Sequence, residues 1–135
     1  MAETLELEVA TPERELVCEQ VSEVQVPGRE GYMGILPGHA ALVGLLGIGT
    51  LTYSVAGQKR YMAVHKGFIE VAGDHVRVLA DAAERKEEID IQRAKEALRR
   101  SLESAVNPSL GVDPAVALIA MARAQARIDT AELRQ

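Results

Sequence analysis

The strongest constraint on this chain is a change of hydrophobic period near Ala80. Up to that point apolar residues recur every second position, and beyond it they recur at helical spacing. "TLELEVA" sets Leu5, Leu7 and Val9 against Glu6 and Glu8, the pattern of a strand with one buried face. "EQVSEVQV" puts Val21 on one parity and Val24 and Val26 on the other, as in a strand that is bulged or covered on both faces. "GTLTYSVAGQKRYMAVHKG" reads as a hairpin turning near Gly57-Gln58, and "GFIEVAGDHVRVLAD" as a second turning at Gly73-Asp74. Short strands with turn signals at this spacing predict an antiparallel sandwich or flattened barrel.

From about Ile89 to Ala105, the residues Ile91, Ala94, Leu98, Leu102 and Ala105 share one helical face. "NPSLGVDP" then breaks the chain, and Asp113-Pro114 is an N-cap followed by a first-turn proline. The second helix carries two apolar faces. Ala117, Ala120, Met121, Ala124, Ile128 and Ala131 make one; Ala115, Ile119, Ala122, Ala126 and Leu133 make the other. Arg123, Arg127 and Arg134 form a ridge between them. Such a helix has two docking sites, two alternative dockings, or burial on both sides in a dimer. Alanine faces bury little area, so each docking is weak enough to reverse. The fold class is α+β: an antiparallel β-domain, sandwich or flattened barrel, over residues 1–84, then an antiparallel helical hairpin over residues 85–135.

Charge follows the same division. Residues 1–84 hold 6 Lys/Arg against 12 Asp/Glu, while residues 85–135 hold 9 against 8. The acidic body argues against nucleic acid as a partner, and the absence of Trp with a single Phe argues against base stacking. The lone Cys18 cannot form an internal disulfide, and its strand context reads as a small core residue. "MAETLELEVATPERE" lacks the basic and apolar regions of a signal peptide, and "AALVGLLGIG" is too short to span a bilayer, so any membrane association goes through a partner.

Little here resembles an active site. His39, His65 and His75 lack metal-ligand spacing, and the carboxylates form no acid-base pair. The glycines of "VPGREGYMGILPGHAALV" lead into strand-like sequence without Gly-Lys-Ser/Thr, which argues against a phosphate loop and for turns and bulges; Tyr32, Met33 and His39 in an exposed loop read as binding residues. In "IDIQRA", Arg93 and Arg100 lie seven apart on one helix side and can face Arg123 and Arg127 across the hairpin. Four converging guanidinium groups call for an anion such as a nucleotide polyphosphate. The alternative is four solvated arginines partly paired with Glu84, Glu96 or Asp129.

"VPGREGYMGILPGHAALV", then "GFIEV…VRVLAD" and "LADAAER…IDIQRA", resemble the epsilon-subunit family of bacterial F-type ATP synthases (delta in mitochondria), over essentially the whole chain. The resemblance implies a β-sandwich of about ten strands. It implies a non-catalytic rotor subunit of a proton-translocating synthase, peripheral on the cytoplasmic face of the bacterial inner membrane. The partners implied are the gamma subunit, the c-subunit ring and the alpha/beta catalytic head. The glycine-rich loop maps to the gamma and c-ring interface, making Arg29, Glu30, Tyr32 and His39 the expected contacts. The position of Tyr32 is commonly acidic in relatives, and Ala41 stands where proline is usual. The hairpin resembles a brake on ATP hydrolysis, with Arg123, Arg127 and Arg134 meeting the catalytic head when it extends. No cofactor is required. ATP is implied as a regulatory ligand through Ile89, Asp90, Arg93 and Ala94, supported by Glu84, Arg100, Arg123 and Arg127. A rotor subunit without ATP sensing is the alternative.

Overall fold

A computed structural model describes residues 3–134. Seven strands form one hydrogen-bonded sheet in the order β2-β1-β7-β6-β5-β3-β4. They are β1 (Leu5–Ala10), β2 (Glu15–Val21), β3 (Glu23–Gly28), β4 (Gly31–Ile35), β5 (Leu42–Val55), β6 (Gln58–Ala72) and β7 (His75–Arg85). A 3-10 turn at Lys86–Glu88 leads into α1 (Ile91–Val106), and a second at Pro108–Leu110 into α2 (Pro114–Glu132).

The sheet becomes a sandwich because its three long strands fold over along one line. In β6, Met62 and Val64 face the core before the line and Ile69 and Val71 after it, a change of parity. Strand β5 switches likewise from Leu46 to Leu51 and Tyr53, and β7 from Val76, Val78 and Ala80 to Ala83. The pairing skips Gly47, Lys66 and Asp81, which lie side by side at the bend. Lys66 (φ 59°) and Gly67 (φ 132°) both take left-handed backbone there. Counting each bent strand as two segments turns the seven strands into the expected ten.

Other differences from the sequence reading have local causes. "EQVSEVQV" is neither bulged nor covered on both faces. It is two strands broken at Ser22, whose N–H and hydroxyl both donate to the Ser54 carbonyl. The first hairpin turns on Ala56-Gly57, one residue early, because a two-residue loop with positive φ at both positions favours glycine second. Cys18 is exposed rather than in the core. The β1–β2 register shifts at Val9/Ala10, which buries Leu16 and Val17 in succession and turns Cys18 outward. Tyr32 and Met33 sit on β4 rather than in a loop.

Each helix starts on an acid whose side chain caps it. Asp90 accepts from the Arg93 amide and Asp113 from the Ala115 amide. On α1 the buried positions are Ala94 and Ser101, while Leu102 remains 44% exposed, so the helix contacts its neighbour through a narrower stripe than its apolar pattern predicts. Both faces of α2 are used within one chain. Ala117, Ala124 and Ile128 are buried on the first face, and Ala126 is buried on the second. Thr130, beside Ala126, hydrogen-bonds Thr50 of β5 at 2.8 Å, which places the second face on the sheet and leaves the first for α1. Among the described residues α1 has no comparable contact with the sheet.

Candidate functional site

The outward side of β5 and β6 beyond the bend forms the seat of α2, with Glu84 of β7 at its edge. Its cross-strand rows are Ile48–His65–Ala82 and Thr50–Ala63–Glu84, with Tyr61 at the far end. Down the helix, Arg127 pairs with Glu84, Thr130 bonds Thr50, and the Arg134 carbonyl accepts from the Tyr61 hydroxyl at 3.1 Å.

Where this seat meets the start of α1 there is a cavity of about 360 Å³, lined by Glu84, Glu88, Asp90, Arg93, Ala94, Ala97, Arg100 and Arg127. Six of the eight residues expected from the sequence therefore come together. Ile89 and Arg123 do not line it; Ile89 is partly buried beside the Asp90 cap, and Arg123 is exposed on α2. The expected convergence of four guanidinium groups is three, and three carboxylates answer them. Arg127 is held by Glu84, and Arg100 lies 3.8 Å from Glu96. Asp129 accepts from Gln125 instead of pairing with an arginine. Arg93 has no ion-pair partner among the described residues, so it is the cation with most to offer an incoming anion.

Glu88 and Ala97 were not anticipated, and neither was Arg14, which reaches Glu88 from the β1–β2 turn. The two arginine amines donate to the two carboxylate oxygens at 2.7 and 2.9 Å. Glu88 also accepts from the Arg85 amide at 2.9 Å. A contact 74 positions apart leaves no periodic trace in sequence. The bidentate clamp, aided by the Arg85 amide, lowers the Glu88 carboxyl from 4.5 to about 2. A depressed acid contributes stability above its unfolded value and loses it as pH falls through the folded one. Acid titration of the parent should therefore lose the clamp between pH 4.5 and about 2, and Arg14→Ala should remove that part of the pH dependence. Urea midpoints at pH 7 and pH 3 check this: the gap between parent and variant should narrow at pH 3.

The loop residues divide between two places. Arg29 and Glu30 turn β3 into β4 and, with Tyr32, line a cleft of about 370 Å³ with Met33 and Leu45. The Tyr32 hydroxyl accepts from the Thr50 amide at 3.1 Å. Adding a Cβ to Gly49 would bring it within 2.6 Å of that hydroxyl, so glycine is what lets the ring cross here. His39 lies beyond the other end of β4, in a turn tied to the β6–β7 hairpin by the Gly38 amide donating to Asp74 at 2.6 Å. Arg134 is exposed at the end of α2. Next to the cleft, Leu45, Phe68 and Leu79 form a cross-strand row on three adjacent strands, exposed by 46%, 57% and 47%.

Residues 4–86 match the family described as "ATP synthase, Delta/Epsilon chain, beta-sandwich domain", and residues 87–132 match "ATP synthase, Delta/Epsilon chain, long alpha-helix domain". The chain belongs to the ATP synthase delta/epsilon family. The ATP synthase epsilon chain of Solibacter usitatus is 71% identical over 132 residues, covering 98% of each chain. That of Carboxydothermus hydrogenoformans is 52% identical over 103 residues, covering 76% of this chain and 77% of its own. Among solved structures, a chain of the Euglena gracilis mitochondrial ATP synthase, in an OSCP/F1/c-ring assembly, superposes with a TM-score of 0.82. It is 25% identical, over 91% of this chain and 78% of its own. Membership of the delta/epsilon family makes the chain a non-catalytic subunit of the synthase. No helix among the described residues is long and apolar enough to cross a membrane.

Proposed function

We propose that this delta/epsilon chain is a central-stalk rotor subunit of a proton-translocating F-type ATP synthase whose hairpin regulates hydrolysis in response to ATP. Its place is peripheral, at the cytoplasmic face of the bacterial inner membrane. The sandwich docks on gamma and the c ring through Arg29, Glu30 and Tyr32, the adjoining row Leu45–Phe68–Leu79, and His39. An apolar row framed by polar groups suits a protein partner. The hairpin, released from its seat, presents Arg123, Arg127 and Arg134 to acidic loops of the alpha/beta head and hinders ATP hydrolysis.

The observation that carries the regulatory part is the cavity between the sandwich edge and both helices. A ligand there bridges Arg93 and Arg100 on α1 to Arg127 on α2 and the β7 end. It therefore binds the folded hairpin alone and shifts the equilibrium by its differential affinity. Arg93 supplies the free guanidinium for the phosphates, while recruiting Arg127 requires displacing Glu84.

Calorimetric titration of ATP into the full chain should show saturable binding. Arg93→Ala should weaken it by about tenfold or more, the worth of one charge-assisted hydrogen bond. In the assembled synthase the same substitution should make inhibition less sensitive to ATP. A second reading has its own support: Glu84 and Glu96 already engage Arg127 and Arg100, as in a rotor subunit without ATP sensing. No binding at millimolar ATP, with inhibition unchanged by Arg93→Ala, selects that reading.

A further inference from the structure

His65 is a histidine for which the synthase role described above has no use. It is 1% exposed, and among the described residues neither ring nitrogen has a hydrogen-bond partner. It lies on the face of β6 that α2 covers, in a row with Ile48 of β5 and Ala82 of β7. Burying an unpartnered imidazole costs stability that an apolar residue would not.

The charges around it are arranged against a proton. From α2, the guanidinium groups of Arg123 and Arg127 act on the ring. From β7, Glu84 is committed to Arg127. Strand β5 faces it with Ile48 and Thr50, which do not titrate at these pH values. The 3-10 turn that also packs on β6 carries Lys86, Glu87 and Glu88, the last clamped by Arg14.

We propose that His65 makes docking of the hairpin pH-dependent, so that a proton on its ring detaches α2 from the sandwich. A charged imidazolium needs an acceptor for each ring N–H, and the buried ring has none among the described residues. Lifting α2 solvates the ring and separates it from two like charges in one movement. The inference rests on the mobile-hairpin reading above and names a second input to it.

Burial first, then Arg127 and Arg123, hold the ring at about 4, well below the usual 6.5. Released, it returns to the solvated value. The docked state thus binds fewer protons than the released one. The docking it permits is complete above pH 6.5 and is lost as pH falls from there toward 4. Between pH 7.5 and 5.5 the equilibrium should move about tenfold toward release.

The test is hydrogen exchange on the full chain across that range, corrected for intrinsic exchange, with sandwich amides as internal reference. Opening of Ala124–Glu132 should rise about tenfold in the parent while the core strands stay fixed. His65→Leu should abolish the rise, and His65→Gln, polar but not titratable, repeats the test if leucine perturbs the fold. A hairpin that opens independently of pH, or variants that follow the parent, overturn the proposal and leave the mobile hairpin standing. A hairpin that opens only with global unfolding at every pH overturns both.

Discussion

Gly67→Ala should destabilise the sandwich by about 3 kcal/mol or more, enough to leave a domain of this size marginal. Gly67 has φ 132°, a conformation that L residues rarely adopt, and a Cβ there would lie 2.0 Å from the Leu79 carbonyl oxygen and 2.8 Å from the Ala80 Cα. Both obstacles are backbone of the neighbouring strand, so no side chain can swing aside. The residue sits at the bend, where β6 crosses from one layer to the other, and relief would require opening the β6–β7 pairing. Gly34→Ala is the control, since a Cβ there meets nothing within 4 Å. Urea denaturation should shift the midpoint strongly for the first variant and little for the second. Equal midpoints would mean that the bend is not set by this glycine.

Leu51→Ala should cost about 2–5 kcal/mol, the range for a buried leucine whose surroundings collapse only in part. Leu51 is fully buried among Tyr53, Met62 and Val64 in the core cluster. One residue earlier on the same strand, Thr50 points the other way and bonds Thr130 on α2. Thr50→Val removes that bond and leaves the Thr130 hydroxyl its second partner, the Ala126 carbonyl. It should cost about 1 kcal/mol, felt by the hairpin rather than the core. Thermal melts followed by strand and helix signals separate the two effects. Leu51→Ala should lower both transitions, and Thr50→Val should lower the helical one alone.

Most local structure was legible because local rules produced it. Alternation fixed which side of β1 is buried, and Asp113 marked a helix start by the hydrogen bond its side chain can accept. The "GILPGH" loop and the "IDIQRA" junction carried the family, and residues 4–132 match its two domains. The bends were hidden, because a change of parity at Gly47, Lys66 and Asp81 looks in sequence like two short strands. Ser22 was hidden for the converse reason, its break resembling a bulge. Six of the eight expected cavity residues were found together: helical spacing and the hairpin determine the positions of Arg93, Arg100 and Arg127, while Glu84, Asp90 and Ala94 were expected from the family resemblance. Glu88 depended on Arg14, a contact set by sheet topology rather than by spacing.

The contacts that seat α2 are strung in file along the helix: Arg134 over Tyr61, Thr130 over Thr50, and Arg127 over Glu84. A load applied at the C-terminal end meets them one at a time, as in peeling tape, so the force required is that of a single weak contact. A load directed along the helix axis meets them all together and must shear the whole row. The arm is thus soft to lifting and stiff to sliding. Because α1 touches the sandwich chiefly through α2, it leaves with its partner or stays with it.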